Sequence, residues 1–130
     1  VRKEMTVKAG QKCTAIRRVF VPENKMEAVW KAVANALDQT PIGNPKNEKV
    51  RMGALAGQTQ KSEVLEQVSK LLAGSQLVYG SLDSVQVIDA DPAKGAFISP
   101  LLLVNDKPFQ QSASHEVEAF GPVSTIMPYK

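Results

Sequence analysis

Apolar residues return along this chain with two different periods, and the change of period outlines its elements. Met26, Val29, Trp30, Val33 and Leu37 recur every three or four positions, which sets them along one face of a helix. Asn24 stands at the N-cap position of that helix and Glu27 follows three residues later, the layout of a capping box. Val64, Leu65, Val68, Leu71 and Leu72 predict a second amphipathic helix, with Thr59 or Ser62 near its start and Gly74 at the C′ position. Shorter apolar runs read as strands: 16–21, closed by Pro22, and then 77–79, 85–88, 96–98, 101–104 and 123–127. Between the helices, Pro41, Gly43, Pro45, Gly53 and Gly57 argue for an irregular surface connection over 40–57. Strand, helix, helix and further strands favour an α/β fold, a mainly parallel sheet flanked by helices, over an all-β sandwich.

Composition narrows the functional classes. With 130 residues, 43% hydrophobic and 22% charged, the chain fits one domain at most, long enough to bury a core. A net charge of +3 and 5% aromatic residues leave no footprint for nucleic acid, so small metabolites are the expected ligands. No apolar run approaches the roughly 20 residues that span a bilayer, so no membrane partner is expected. One cysteine cannot form an internal disulfide, which points to a reducing cytoplasm. The opening Val1-Arg2-Lys3-Glu4 has no initiator Met and no signal-peptide layout, and reads as a cut through a longer protein.

The residue with nucleophilic chemistry is Cys13, in Lys8-Ala9-Gly10-Gln11-Lys12-Cys13-Thr14-Ala15. Gly10 permits a sharp turn that would present the thiol to a cleft. Arg2, Lys3, Lys8, Lys12, Arg17 and Arg18 outnumber Glu4 and Glu23 around it, an excess that would favour the thiolate if those cations lie close. On these grounds alone the bland alternatives carry more weight: a lone cysteine is more often a small buried hydrophobe, and a basic stretch a solvated face. His115, beside Glu116, carries no sign of reaching Cys13 and is assigned no catalytic role. No cluster of His, Cys, Asp or Glu has metal-site spacing, and there is neither a glycine-rich dinucleotide fingerprint nor a phosphate loop.

Two motifs change the odds. Gly10-Gln11-Lys12-Cys13, followed by small residues, is similar to the active-site cysteine segment of the aldehyde dehydrogenase superfamily, and Glu118-Ala119-Phe120-Gly121-Pro122-Val123 resembles that family's Glu-x-Phe-Gly-Pro-Val motif. Gly43-Asn44-Pro45 and Met52-Gly53-Ala54-Leu55 look like two further landmarks of the family, with Ala54 where a proline is usual. The run from Glu4 to Arg18 resembles one branch in particular, the aldehyde dehydrogenases of phenylacetate degradation. In its bifunctional members a hydratase-like domain opens an oxepin-CoA ring and the dehydrogenase oxidises the resulting semialdehyde.

The resemblance implies that residues 1–130 are part of an aldehyde dehydrogenase catalytic domain, with the dinucleotide-binding region upstream. It implies Cys13 as the catalytic nucleophile, Glu118 as a ligand of the nicotinamide ribose hydroxyls and Phe120 as a packing contact to the same end of NAD or NADP. The substrate would be an aldehyde, possibly CoA-linked, and the whole enzyme a homo-oligomer; the isolated stretch would be inactive. A competing class is a non-enzymatic thiol module, redox-responsive or oligomerising, for which one cysteine in basic surroundings would suffice. The Glu-x-Phe-Gly-Pro-Val motif separates the two, because a thiol sensor has no need of it.

Overall fold

Leu101, Leu102 and Leu103 are each fully buried because the strand that carries them runs through the middle of a sheet covered on both faces. The computed structural model describes all 130 residues. Its elements are helix α1 (Arg2–Thr6), strand β1 (Arg18–Pro22), helices α2 (Met26–Asp38) and α3 (Gln58–Leu71), strands β2 (Gln76–Tyr79) and β3 (Leu101–Val104), the short helix α4 (Ala113–Glu116) and strand β4 (Val123–Tyr129). The four strands lie in the order β1-β4-β3-β2. β4 is parallel to both β1 and β3, and only β2 runs antiparallel, against β3. The sheet is therefore mainly parallel, as the order of elements implied.

Alternation along β3 assigns the layers. Leu101 and Leu103 pack with Val123 and with Val64, Val68 and Leu71 of α3 on one face. Leu102 points the other way, with Ile126, Val21, Met5 and Leu37, and Met26, Val29, Trp30 and Val33 of α2 pack over this second cluster. The apolar stripes of both helices thus face the sheet, α3 on one side and α2 on the other.

Several local expectations are corrected. β1 begins at Arg18 and takes in Pro22, which an edge strand tolerates at its last position. Asn24 does not cap α2: it lies in a single 3₁₀ turn, Glu23–Lys25, and the helix starts at Met26 with no side-chain cap. α3 begins at Gln58, after Gly57 in extended backbone, so Thr59 and Ser62 fall inside it. Gly74 is not the C′ glycine, since α3 ends at Leu71 with Leu72 as its cap. The runs 85–88 and 96–98 form no strands. Ile88 makes only an isolated bridge to Gly43, and Ala96, Phe97 and Ile98 are buried without joining the sheet.

Candidate active site

The chain reaches Cys13 through a left-handed turn. After α1, Lys8, Ala9 and Gly10 have φ of 54°, 53° and 71°, a region that L-residues with a Cβ enter at a cost. Ala9 and Gly10 are buried, so packing holds the turn closed, and Cys13 emerges exposed three residues later. What the turn packs against explains the glycine. A Cβ on Gly10 would lie 2.1 Å from the carbonyl oxygen of Gly121 and 2.8 Å from the nitrogen of Pro122. The backbone of the cysteine segment therefore sits directly on the backbone of the Phe120-Gly121-Pro122 segment, which the sequence separates by more than a hundred residues.

Arg17 fastens this contact. Its Nη1 donates to the Gly121 carbonyl and its Nη2 to the Gly10 carbonyl, both at 2.6 Å. The guanidinium carbon lies 5.3 Å from the centre of the Phe120 ring, a cation–π contact. Its Nε faces a carboxylate oxygen of Glu118 at 3.7 Å, an ion pair too long for a hydrogen bond, and that Nε is buried with no partner of its own. Burial pushes the guanidinium pKa below its ordinary value, against the opposing charge of Glu118. One arginine thus touches both motifs. In the sequence Arg17 is only one cation of a basic stretch, and nothing in its spacing marks it.

The other landmarks join the same framework. Gln11 Oε1 accepts the backbone N–H of Ala56 at 2.9 Å, just past the Met52-Gly53-Ala54-Leu55 landmark. Gly43 donates its N–H to the Met52 carbonyl at 3.0 Å and fits against the backbone of Ile88. Ser124 Oγ donates to the carbonyl of Ile16, and Thr125 N–H to that of Arg17, anchoring the stretch after Cys13 beside β4.

Glu118 and Phe120 lie on the irregular segment between α4 and β4, and both are exposed; the Glu118 side chain is 61% accessible and Phe120 44%. A groove of about 550 Å³, lined by Ala15, Ile16, Arg17, Val117 and Glu118 among others, runs beside Glu118.

The expected basic excess around Cys13 is redistributed. Lys12 pairs with Glu4 at 2.8 Å and holds that carboxyl below its ordinary pKa, Arg17 serves the two glycine carbonyls, and Arg18 reaches Nδ1 of His115 at 3.2 Å. Three of the six cations counted together in the sequence are thus engaged with other groups. His115 is occupied too: Nδ1 accepts from Arg18 and Nε2 donates to the Pro108 carbonyl at 3.0 Å, while Phe20 stacks on the ring. No group of three or more His, Cys, Asp or Glu is placed to hold a metal ion, and no helix is long and apolar enough to cross a membrane.

Residues 1–130 match the model of the aldehyde dehydrogenase family. The 3,4-dehydroadipyl-CoA semialdehyde dehydrogenase of Aromatoleum evansii is 42% identical over 127 residues, which cover 98% of this chain and 25% of that protein. Among solved structures, aldehyde dehydrogenase 21 of Physcomitrella patens, in complex with the reaction product succinate, superposes with a TM-score of 0.78 at 26% identity, over 99% of this chain and 25% of that one. The betaine aldehyde dehydrogenase of Staphylococcus aureus, in complex with NAD+, gives a TM-score of 0.83 at 21% identity, over 98% of this chain and 24% of that one, a likeness of fold. The chain spans about a quarter of the length of these relatives.

Proposed function

The chain belongs to the aldehyde dehydrogenase family, and from that premise we propose that it supplies the nucleophile and the nicotinamide-side cofactor contacts of an NAD(P)-linked aldehyde dehydrogenase. The observation that carries this reading is the seating of Gly10 on Gly121, clamped by Arg17, which brings the cysteine segment and the Glu118–Phe120 segment into one unit. Chemistry that joins a thiol adduct to a bound cofactor needs such a junction.

In this reading the Cys13 thiolate adds to the aldehyde carbon, giving a thiohemiacetal on sulfur. Oxidation of that adduct leaves a thioester on Cys13, which water or CoA then releases. NAD or NADP, when bound, supplies the electron acceptor for the oxidation. The residues present suit that cofactor: Glu118 is accessible and directs only a long ion pair at Arg17, so its oxygens are free to accept bonds from two ribose hydroxyls. Phe120 offers an accessible aromatic surface beside it. A CoA-linked semialdehyde is the substrate we infer, because the Aromatoleum evansii relative is named for one and is 42% identical.

The test is Cys13→Ser in an enzyme of the relatives' full length that carries this chain. A hydroxyl of ordinary pKa is a far poorer nucleophile than a thiolate at neutral pH. Aldehyde-dependent formation of reduced cofactor, followed by absorbance, should disappear while the circular dichroism spectrum is retained. Near-normal turnover by the folded variant would remove Cys13 from the mechanism.

A further inference from the structure

Arg17 has more bonding capacity aimed at the site than backbone support requires. A guanidinium is planar and rigid, so fixing Nη1 and Nη2 on two carbonyls also fixes the direction of its Nε edge and of its flat face. The Nε edge faces Glu118 and the flat face lies over Phe120. The Nε–H is buried and unpartnered, a costly state for a charged donor, and the carboxylate that faces it is that of Glu118, at 3.7 Å. Glu118 itself is largely accessible, so it is restrained by Arg17 without being used up by it.

We propose that Arg17 is a positioning residue for the cofactor end of the site, acting through Glu118. It keeps the Glu118 carboxylate aimed as an acceptor for the ribose hydroxyls and ties it to the turn that presents Cys13, while its flat face packs on Phe120. This inference rests on the reading of Glu118 and Phe120 as cofactor contacts. A lysine would keep the charge but not the fork: a single ammonium cannot bridge both carbonyls and present a flat face to Phe120.

The experiment uses an enzyme of the relatives' full length carrying this chain, in four variants: Arg17→Lys, Arg17→Met, Glu118→Gln and the double Arg17→Met/Glu118→Gln. NAD and NADP are titrated calorimetrically into each, and melting temperatures are recorded in parallel. Loss of a charge-assisted contact corresponds to about tenfold in affinity. Arg17→Met should bind the preferred cofactor about tenfold more weakly, Arg17→Lys should fall between it and the parent, and the double variant should bind within about twofold of Glu118→Gln alone. Lowered melting temperatures with cofactor affinity within twofold of the parent in both Arg17 variants would reduce Arg17 to a backbone clamp and overturn the proposal. Effects that multiply in the double variant would overturn action through Glu118. If Arg17→Met does not fold, Arg17→Lys decides: affinity within twofold of the parent overturns the proposal. Should Glu118→Gln bind cofactor as well as the parent, the reading of the site fails and this inference with it, an outcome distinct from failure at Arg17 alone.

Discussion

Gly10 sets how closely the two halves of the site approach. Its φ of 71° and the 2.1 Å separation between a notional Cβ and the Gly121 oxygen are independent obstacles to any side chain, and the second is a backbone atom that cannot rotate away. Gly10→Ala should cost about 2–4 kcal/mol, the sum of left-handed strain and forced backbone separation. At Gly121 a new Cβ would meet only Val64 methyl groups at 3.0 Å, which can shift, so Gly121→Ala should cost less, under about 1.5 kcal/mol. Urea unfolding followed by circular dichroism checks both, and equal midpoints for the two variants would contradict the argument. The requirement for a turn at Gly10 was readable from the sequence, because glycine is the residue that turns sharply. The role of Arg17 was not, because an arginine in a basic stretch reads as solvated until its partners, 104 and 7 residues away in the chain, are known.

Among the elements, the end of α2 is tied to β2 by a hydrogen bond from the Tyr79 hydroxyl to an Asp38 carboxylate oxygen at 2.9 Å. Burial, with the help of that carboxylate, pushes the Tyr79 phenol up to about 12 from an ordinary 10.0. The folded state therefore favours the neutral phenol. Its contribution is fully present below pH 10 and is lost as pH rises through about 12, because the unfolded chain gives up the proton first. Between about pH 9 and pH 12 the urea midpoint should fall further for the parent chain than for Tyr79→Phe; parallel curves would show that the phenol carries none of the alkaline loss. The helices were legible because a period of 3.6 maps directly onto one buried face. The run 96–98 misled because an apolar run reports burial and says nothing of a ladder partner, and the run 85–88 because its apolar side chains stay partly accessible on a loop. The neighbours of β3 are β4 and β2, and neither run pairs with any strand of the sheet.

For the whole molecule, the sheet with α2 and α3 forms a scaffold, and the residues proposed for the chemistry sit on segments fastened to it. Cys13 lies between α1 and β1, and Glu118 and Phe120 between α4 and β4. β1 and β4 are paired strands, Arg18 opposite Thr125, so the two motif segments lead into neighbouring positions of one sheet. This is why two motifs far apart in sequence could be read together by resemblance, whereas period and composition alone left Cys13 ambiguous between nucleophile and buried hydrophobe. The central claim is that a bond forms between Cys13 and the substrate's carbonyl carbon. Its most direct test is to rapidly quench an enzyme of the relatives' full length, carrying this chain, during turnover of an aldehyde with NAD or NADP, and to map the digested peptides by mass spectrometry. The account predicts the acyl mass on the peptide containing Cys13 and its absence from Cys13→Ser; acylation of a different residue, or turnover with Cys13 unmodified throughout, would contradict it.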